Sequence, residues 1–189
     1  MSSHLFIEKI GTEEALMAVA AAEDRAAVAS FANARRRSEV LAWRALVRRE
    51  LGARVLISHD EYGAPVVDLQ NTHISVSHSR EKVAVLISDA PCAVDIESVA
   101  RDFRRVADHY LSAEEQQLAE RYDIYAEMWS AKEALYKYHK KGGIEFVRDV
   151  VVAEYRPEQH TLVATLFGGE PIEVALRRED DLVIATISC

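Results

Sequence analysis

The C-terminal part of the chain alternates short apolar runs with turn residues, and no other feature constrains the fold as strongly. Between residues 146 and 188 the sequence reads FVRDVVVAEY, TLVATLF, IEVALR and LVIATIS, with Gly, Pro or acidic residues between the runs. Short runs rich in Val, Ile and Leu that are separated by turn residues are typical of neighbouring antiparallel strands. We therefore predict that this region forms an antiparallel meander of three or four strands.

Helices are predicted before this sheet and near the N-terminus. Residues 12–29 are rich in Ala and carry acidic side chains near their start, which favours a helix. The stretch ARRRSEVLAWRALVRRELG ends at Gly52, and glycine commonly terminates helices. The sequence SAEE at residues 112–115 has the spacing of a capping box. A further helix through YAEMWSAKEALYKYHKKGG is expected to end at the glycine pair 142–143.

Further strands are predicted in the first half of the chain and just after it. They are HLFIEKI, RVLISHD, HISVSHS, KVAVLIS and CAVDIES, and the turn SDAP between the last two marks the midpoint. We predict an α+β fold with two similar α/β subdomains in a pseudo-twofold arrangement, in which antiparallel sheets pack against helices. The predicted subdomains span residues 1–88 and 89–189.

The composition excludes several classes of protein. The 189 residues are 49% hydrophobic and 29% charged, which is typical of a globular domain. A net charge of −8 argues against a general nucleic-acid binder. No window is apolar enough to cross a bilayer, and the N-terminus lacks the pattern of a signal peptide, so we expect a cytoplasmic protein without a membrane partner. Cys92 and Cys189 lack the spacing of metal ligands, and we expect reduced thiols.

Two carboxylates occupy alternate positions of the predicted strand CAVDIES. Asp95 and Glu97 would point to one face, while Val94 and Ile96 would point to the other. Like charges on one strand face repel each other, and either water or a bound cation relieves the repulsion. A solvated strand face and a cation site are both consistent with this pattern alone.

The helix WSAKEALYKY adds a third carboxylate. Trp129, Glu133 and Lys137 are four residues apart and therefore share one face of the helix. An ordinary surface Glu–Lys pair explains this spacing, and so does a site in which Glu133 joins Asp95 and Glu97 around Mg²⁺. Mg²⁺ prefers oxygen ligands and usually contacts substrate phosphates as well, which Lys137 would then meet.

Two further segments are candidates for phosphate contacts. HISVSHS ends with Ser77, His78 and Ser79, and a hydroxyl with an imidazole N–H suits a phosphate, although a lone His at a strand end is often structural. Residues 35–49 contain six arginines and one acid, Glu39. This run is either a solvated helix face or a surface for phosphates or for an acidic partner.

In order along the chain, HISVSHS (73–79), AVDIES (93–98) and WSAKEALYK (129–137) resemble the motifs of the 4′-phosphopantetheinyl transferase superfamily. The resemblance is to its longer, pseudodimeric type, which activates carrier proteins, and it extends over residues 35–150. It implies transfer of the 4′-phosphopantetheine arm of coenzyme A to a serine of an apo acyl or peptidyl carrier protein, with release of 3′,5′-ADP. Such a protein would act with Mg²⁺ on coenzyme A and a carrier protein, and we expect a monomer.

The resemblance also implies roles for individual residues. Metal ligands would be Asp95, Glu97 and Glu133, and catalytic residues Glu133, directly or through water as the general base, and Lys137. Contacts to coenzyme A would come from Arg37, Tyr62, Gly63, Ser77, His78, Lys132 and Lys137. Within that set, His78 and Arg37 would meet the 3′-phosphate, with Arg35 or Arg36 as alternatives to Arg37, and Tyr62 and Gly63 would lie near the adenine. The first subdomain would thus bind coenzyme A and the second would carry the carboxylates.

The sequence departs from the family pattern at one informative position. Ala64 stands where the family often has a phosphate-pairing Lys, and Arg44 or another basic residue would have to compensate. Two other readings stay open: a Mg²⁺-dependent phosphohydrolase, and an inactive member that binds coenzyme A or a carrier. We also expect Arg101, Arg104 and Arg105, with the arginines of 35–49, to receive an acidic carrier surface.

Overall fold

The computed structural model describes residues 2–140 and 142–188, and its fold is α+β. Contacts divide the chain between Ala90 and Pro91 into two compact units. Each unit has its own hydrophobic core. None of the helices in the described part of the chain is both long enough and apolar enough to span a membrane.

The N-terminal unit is built on a three-stranded antiparallel sheet in the order β1-β5-β4. A separate two-stranded hairpin, β2-β3, precedes β4. The strands are β1 (Ser3–Lys9), β2 (Ile57–His59), β3 (Pro65–Val67), β4 (His73–Ser79) and β5 (Lys82–Ser88), and the helices are α1 (Glu13–Val19), α2 (Ala22–Val28) and α3 (Ala34–Leu51).

The helix α3 forms as the sequence predicts. The Asn33 side chain accepts the backbone N–H of Arg36 at its start, and Gly52 ends it with φ 114°, a conformation that favours glycine. Its buried face includes Leu41, Leu46 and Val47 and belongs to the same core as Val83 and Val85 of β5. Burial of this face supplies most of what holds the helix on the unit.

The single helix predicted over residues 12–29 is wrong, because the segment forms two short helices. Thr12 caps α1 with its hydroxyl, and the chain becomes extended at Ala20 and Ala21 before α2 begins. Alanine favours helices but does not show where a chain must turn to pack, so the break was not visible in the sequence.

The C-terminal unit contains a five-stranded antiparallel sheet in the order β6-β10-β9-β8-β7. Its strands are β6 (Cys92–Ser98), β7 (Val150–Arg156), β8 (Thr161–Leu166), β9 (Ile172–Glu179) and β10 (Leu182–Ser188). The predicted meander is confirmed by β7 to β10, and β6 joins it at the far edge by pairing with β10. The helices are α4 (Ala113–Tyr122), α5 (Tyr125–His139) and α6 (Phe146–Asp149), with 3₁₀ helices at Arg104–His109 and Pro157–Gln159.

The helix α5 packs on the sheet through Met128, Ala131 and Leu135, all of which are fully buried. It ends at His139, followed by Lys140 in a left-handed conformation, so it stops before the predicted glycine pair. The predicted capping box is confirmed at the start of α4, where the side chains of Ser112 and Glu115 each accept the other's backbone N–H.

The Cys92 thiol is buried, and burial raises its pKa to about 11. A thiol in this environment stays protonated and unreactive at neutral pH. Cys189, the other predicted thiol, lies outside the described residues.

Candidate active site

Strand β6 places two carboxylates on one face. Asp95 lies opposite Ala185 of β10 and Glu97 opposite Val183, so the two acids are separated by one residue along the strand. Ile96 between them is fully buried. Asp95 is itself only 5% exposed, so its charge depends on neighbours in the protein for compensation.

The face of α5 that carries the motif WSAKEALYK meets these two acids. The Trp129 indole N–H donates to Glu97 Oε1 at 3.1 Å. Two turns further on, Lys137 Nζ donates to Asp95 Oδ1 at 2.8 Å and to the Val94 carbonyl at 3.0 Å. The helix therefore runs against the direction of β6, with Glu133 midway along the same face.

The Glu133 carboxyl has a strongly raised pKa. Burial raises its pKa to about 7, and the negative charges of Asp95 and Glu97 add to the shift, while Lys137 and Arg101 oppose it. Lys137 bonds to Asp95, so the ordinary surface Glu–Lys pair considered for this helix is not what the structure contains. A carboxyl poised near neutral pH is suited to accepting a proton and to binding a cation that replaces one.

Glu133 also lines an open cleft of about 520 Å³. Apolar side chains form much of its wall, including Tyr136, Ile144, Phe146 and Val147, and His109 lies on its rim. The carboxyl that is poised near neutral pH is therefore accessible to a ligand rather than enclosed in the core.

The structure adds Arg101 to the site, a residue that the sequence analysis assigned only to carrier docking. Its guanidinium donates to Glu97 Oε1 at 3.0 Å and stacks over the rings of Phe103 and Trp129 at 4.7 and 5.1 Å. Stacking on two rings orients the guanidinium. The only signal in the sequence was its distance of four residues from Glu97, which has no meaning outside a helix.

The donor set suits a hard divalent cation, although it is not arranged as a finished metal cage. Over residues 2–140 and 142–188, no group of three or more His, Cys, Asp or Glu side chains is positioned to hold a metal ion. Asp95 and Glu97 instead bond to Lys137 and Arg101. Burial raises the pKa of Glu133 and the charges of Asp95 and Glu97 raise it further, and oxygen ligands grouped in this way are the chemistry that Mg²⁺ selects.

Lys132, for which the family resemblance implied a cofactor contact, faces the protein interior. It is fully buried, and its ammonium donates to Glu115 Oε2 at 2.8 Å and to the carbonyls of Phe146 and Val150 at 3.0 and 2.7 Å. Burial lowers the pKa of Lys132, and the Glu115 carboxylate opposes that effect. Since all three N–H donors already have acceptors, the structure does not support the implied cofactor contact.

In the N-terminal unit, β4 presents His78 next to the start of α3. Arg36 Nη1 lies 2.8 Å from His78 Nε2, and Glu39 Oε2 lies 3.6 Å from the same nitrogen. A guanidinium only donates, so in this arrangement Nε2 accepts and the ring proton is on Nδ1. Ser77, its neighbour on β4, is buried, and successive strand residues point to opposite faces, so the structure does not support the contact to coenzyme A that the resemblance implied for Ser77.

Arg37, the preferred candidate for the 3′-phosphate, is held elsewhere. Its Nε and Nη2 donate to the two carboxylate oxygens of Glu13 at 2.6 and 3.1 Å, and its Nη1 donates to the carbonyls of Phe31 and Ala32. Arg36, named as an alternative, is the arginine beside His78. Spacing along α3 could not distinguish the two, because the partners come from α1 and β4.

The other arginines of α3 also have carboxylate partners. Arg44 and Arg48 both bond to Asp24 at 2.6 Å, and Arg49 pairs with Glu8 and Glu50. Arg44 is 2% exposed, so it does not replace the lysine that is missing at Ala64. Arg35 and Arg36 at the N-terminal end of α3 share Glu39 as their partner, although their side chains stay exposed. The predicted basic surface is therefore largely neutralised within the unit.

The predicted adenine contacts lie in the hairpin turn between β2 and β3. Asp60 Oδ1 accepts the backbone N–H groups of Tyr62 and Ala64, and Gly63 adopts φ +83°. Tyr62 is 52% exposed, which leaves one ring face available to a ligand. The turn is well defined by these bonds, and its contact with adenine stays a prediction.

The C-terminal unit matches a known family. Residues 91–187, which are 97 of the 189 residues, match the model of the 4′-phosphopantetheinyl transferase superfamily. This stretch contains Asp95, Glu97, Glu133 and Lys137.

Curated relatives carry the same description. The 4′-phosphopantetheinyl transferase ffp of Bacillus subtilis is 30% identical over 124 residues, which cover 58% of this chain and 55% of that protein. The 4′-phosphopantetheinyl transferase psf-1 of Bacillus pumilus is 33% identical over 96 residues, covering 47% of this chain and 41% of the relative. That of Aneurinibacillus migulanus, gsp, is 32% identical over 94 residues, covering 47% and 39%.

This chain thus spans about half the length, or less, of the curated relatives it matches. The match to the family model nevertheless extends over more than half of the chain and includes the whole carboxylate site. The chain belongs to the 4′-phosphopantetheinyl transferase superfamily.

Proposed function

We propose that this protein transfers the 4′-phosphopantetheine arm of coenzyme A to a serine hydroxyl of an apo acyl or peptidyl carrier protein. The serine oxygen attacks the β-phosphorus, the bond from that phosphorus to the bridging oxygen breaks, and 3′,5′-ADP leaves. The reaction needs a group that accepts the serine proton and charges that neutralise the diphosphate.

One observation carries the proposal. The face of α5 that carries Glu133 and Lys137 lies against the strand β6, which carries Asp95 and Glu97. The three carboxylates and the Lys137 ammonium therefore lie together where α5 crosses the strand. Glu133 opens onto a cleft, which gives a hydroxyl-bearing substrate access to the same carboxyl. The relatives from Bacillus and Aneurinibacillus are 4′-phosphopantetheinyl transferases, which supports the proposal.

The proposed cofactor is Mg²⁺, held by Asp95, Glu97 and Glu133. When bound, it would neutralise charge on the diphosphate of coenzyme A. Lys137, which is 26% exposed, would turn from Asp95 to a phosphate oxygen as its carboxylate partner becomes engaged. Glu133 would accept the serine proton, directly or through one water, and its raised pKa suits this task near neutral pH.

We further propose that the N-terminal unit contacts phosphates of coenzyme A through His78 and Arg36. The Arg36 side chain is 49% exposed and the His78 side chain 37% exposed, so both are accessible, and they already lie beside each other. A guanidinium and an imidazole N–H together match the geometry and charge of a 3′-phosphate. Tyr62 would cover the adenine.

The carrier protein would meet an exposed basic surface formed by Arg104 and Arg105 in the 3₁₀ helix Arg104–His109. Arg104 pairs with Glu120 and lies over the ring of Tyr125, while Arg105 is exposed and has no ion-pair partner within the described part of the chain. Long-range attraction to an acidic partner raises the association rate more than the affinity. The KM for the carrier after charge reversal at these two residues measures that contribution.

The test is the intact mass of an apo carrier protein after incubation with this protein, coenzyme A and Mg²⁺. The proposal predicts a mass gain of one phosphopantetheine, with one 3′,5′-ADP released per carrier, and no gain when EDTA is added. Carriers of fatty-acid, polyketide and peptide synthesis are tested side by side, because each presents a comparable serine.

The other outcomes separate the rival functions. Release of inorganic phosphate from coenzyme A or nucleotides without any carrier would indicate a Mg²⁺-dependent phosphohydrolase. Binding of coenzyme A without a mass gain on any carrier would indicate an inactive member, for which Ala64 is the first position to examine.

A further inference from the structure

The buried pair formed by Lys132 and Glu115 is fully hydrogen-bonded and joins three elements of the C-terminal unit. Lys132 is fully buried and Glu115 is 3% exposed. Lys132 donates to Glu115, to the Phe146 carbonyl and to the Val150 carbonyl. A buried ion pair by itself contributes little net stability, because the cost of removing both charges from water offsets their attraction.

The Glu115 carboxylate completes the network from the other side. Its Oε1 accepts the backbone N–H of Val152 at 2.7 Å, and its Oε2 accepts the backbone N–H of Ser112 at 2.8 Å in addition to Lys132. The pair thus ties the start of α4 and the middle of α5 to the beginning of β7.

The Lys132–Glu115 pair holds segment 144–150, which forms one wall of the cleft at Glu133. Phe146 and Val150, whose carbonyls Lys132 binds, mark the first residue of α6 and the first residue after it. Ile144, Phe146 and Val147 line the cleft together with Glu133. Because adjacent helix residues point about 100° apart, Lys132 faces the core while Glu133 faces the cleft.

We propose that Lys132, together with Glu115, is a positioning residue that fixes segment 144–150 against Glu133. The inference rests on the proposed function: it assigns the serine-bearing part of the carrier to the cleft between this wall and the Glu133 carboxyl. Lys132 does not touch coenzyme A. Its bonds hold the wall in place, so that the attacking hydroxyl is presented to Glu133 in a fixed geometry.

The test uses the double variant Lys132→Met with Glu115→Gln, which removes both charges and so avoids leaving a lone buried carboxylate. Glu115→Gln alone is the second variant: it keeps the carbonyl contacts of Lys132 but takes the carboxylate away from the buried ammonium, so we expect it to lower stability as Asp24→Asn does. Leu162→Ala is the matched control: Leu162 is fully buried in the same core, on β8, and does not line the cleft. All variants are compared below their melting temperatures.

The readouts are hydrogen–deuterium exchange of peptides within 144–150, the affinity for coenzyme A with Mg²⁺, and kcat/KM for the carrier. We expect faster exchange in that segment of the double variant and a fall of about tenfold or more in kcat/KM for the carrier. Affinity for coenzyme A should stay within about twofold of the wild type. Glu115→Gln should show the same two changes, and Leu162→Ala should show neither of them.

Three results would overturn the inference. A loss of coenzyme A affinity with unchanged exchange would make Lys132 a cofactor contact. Equal kinetic losses in Leu162→Ala at the same loss of stability would make the pair merely structural. If the double variant does not fold, wild-type exchange and transfer in Glu115→Gln would contradict it. A wild-type protein that transfers nothing refutes the proposed function instead, and the exchange data still report whether the pair holds the wall.

Discussion

The two units of the molecule differ in how their charged side chains are arranged. In the N-terminal unit, the arginines of α3 each have a carboxylate partner, and the deepest of these, Asp24, bonds to both Arg44 and Arg48. In the C-terminal unit, carboxylates are grouped on one face, and their repulsion adds to burial in raising the pKa of Glu133 to about 7. Carboxylates that each have a cation hold elements together, whereas Glu133, which lies buried beside two further carboxylates, leaves a site that gains from binding a cation.

The largest effect on stability is expected where a compensated buried charge loses its partner. Asp24→Asn leaves the Arg44 guanidinium, which is 2% exposed, without its carboxylate. Breaking a buried pair from one side costs about 3–5 kcal/mol of unfolding free energy. Urea unfolding measures this loss, and Glu50→Gln is the control, because the exposed pair with Arg49 should contribute less than about 1 kcal/mol. Equal losses in the two variants would contradict the contrast.

Removing a charge from the grouped carboxylates is expected to raise the free energy of unfolding, whereas Asp24→Asn lowers it. Glu133 has an ordinary pKa of 4.5 and a pKa of about 7 in the folded protein. Below the lower value it is protonated in both states, and above the higher one folding must bury its charge. Its contribution therefore makes the metal-free protein less stable as the pH rises from about 4.5 to about 7, by about 1–3 kcal/mol.

Comparison with Glu133→Gln isolates that contribution. In EDTA, the variant should be more stable than the wild type at about pH 8 and equally stable at about pH 4. Asp24 behaves in the reverse direction: burial raises its pKa, but the hydrogen bonds from Arg48 and Arg44 lower it further, so its contribution is lost only on acidification through the lowered value. A pH-independent difference between wild type and Glu133→Gln would contradict the raised pKa of Glu133.

A smaller effect is expected on the affinity for coenzyme A, and it should differ between two neighbouring arginines of α3. Arg36→Ala should weaken coenzyme A binding about tenfold through loss of a charged hydrogen bond beside His78. Arg37→Ala should leave that affinity unchanged and lower stability slightly, because Arg37 bonds to Glu13. Calorimetric titration with coenzyme A measures both. A larger loss of affinity in Arg37→Ala would restore the residue that the motif alone favours.

The smallest effect is expected for carrier docking. Arg104→Glu with Arg105→Glu should raise the KM for the carrier several-fold, more so at low salt, and leave coenzyme A binding intact. Arg177→Glu on β9 is the matched control, because it reverses an exposed arginine that pairs with Glu179. Unchanged KM values, or equal increases in both proteins, would remove the docking surface.

Local patterns in the sequence predicted most of the secondary structure. Alternation revealed β4 and β6, the spacing of Ser112 and Glu115 revealed the start of α4, and Gly52 marked the end of α3. Each of these signals lies within a few residues of the feature it predicts. The pairing of β6 with β10 was not predictable in this way, because its partners are separated by more than eighty residues.

The difference between local signals and distant contacts also explains which features of the site were predictable. The common face of Asp95 and Glu97 follows from the period of a strand, and that of Glu133 and Lys137 from the period of a helix. The interior position of Lys132 was not predictable, because Glu115 lies 17 residues away on another helix. Nor was the neutralisation of Arg44, whose partner Asp24 lies on α2. Charge alone does not reveal whether a side chain has a distant partner.

The most direct test of the central claim compares wild type and Glu133→Gln in the carrier assay, with intact mass as the readout. The grouped carboxylates are predicted to be the catalytic centre, so the variant should fold, be at least as stable as the wild type in EDTA, and transfer phosphopantetheine about 10²- to 10⁴-fold more slowly. A folded Glu133→Gln protein that modifies the carrier at the wild-type rate would contradict the account.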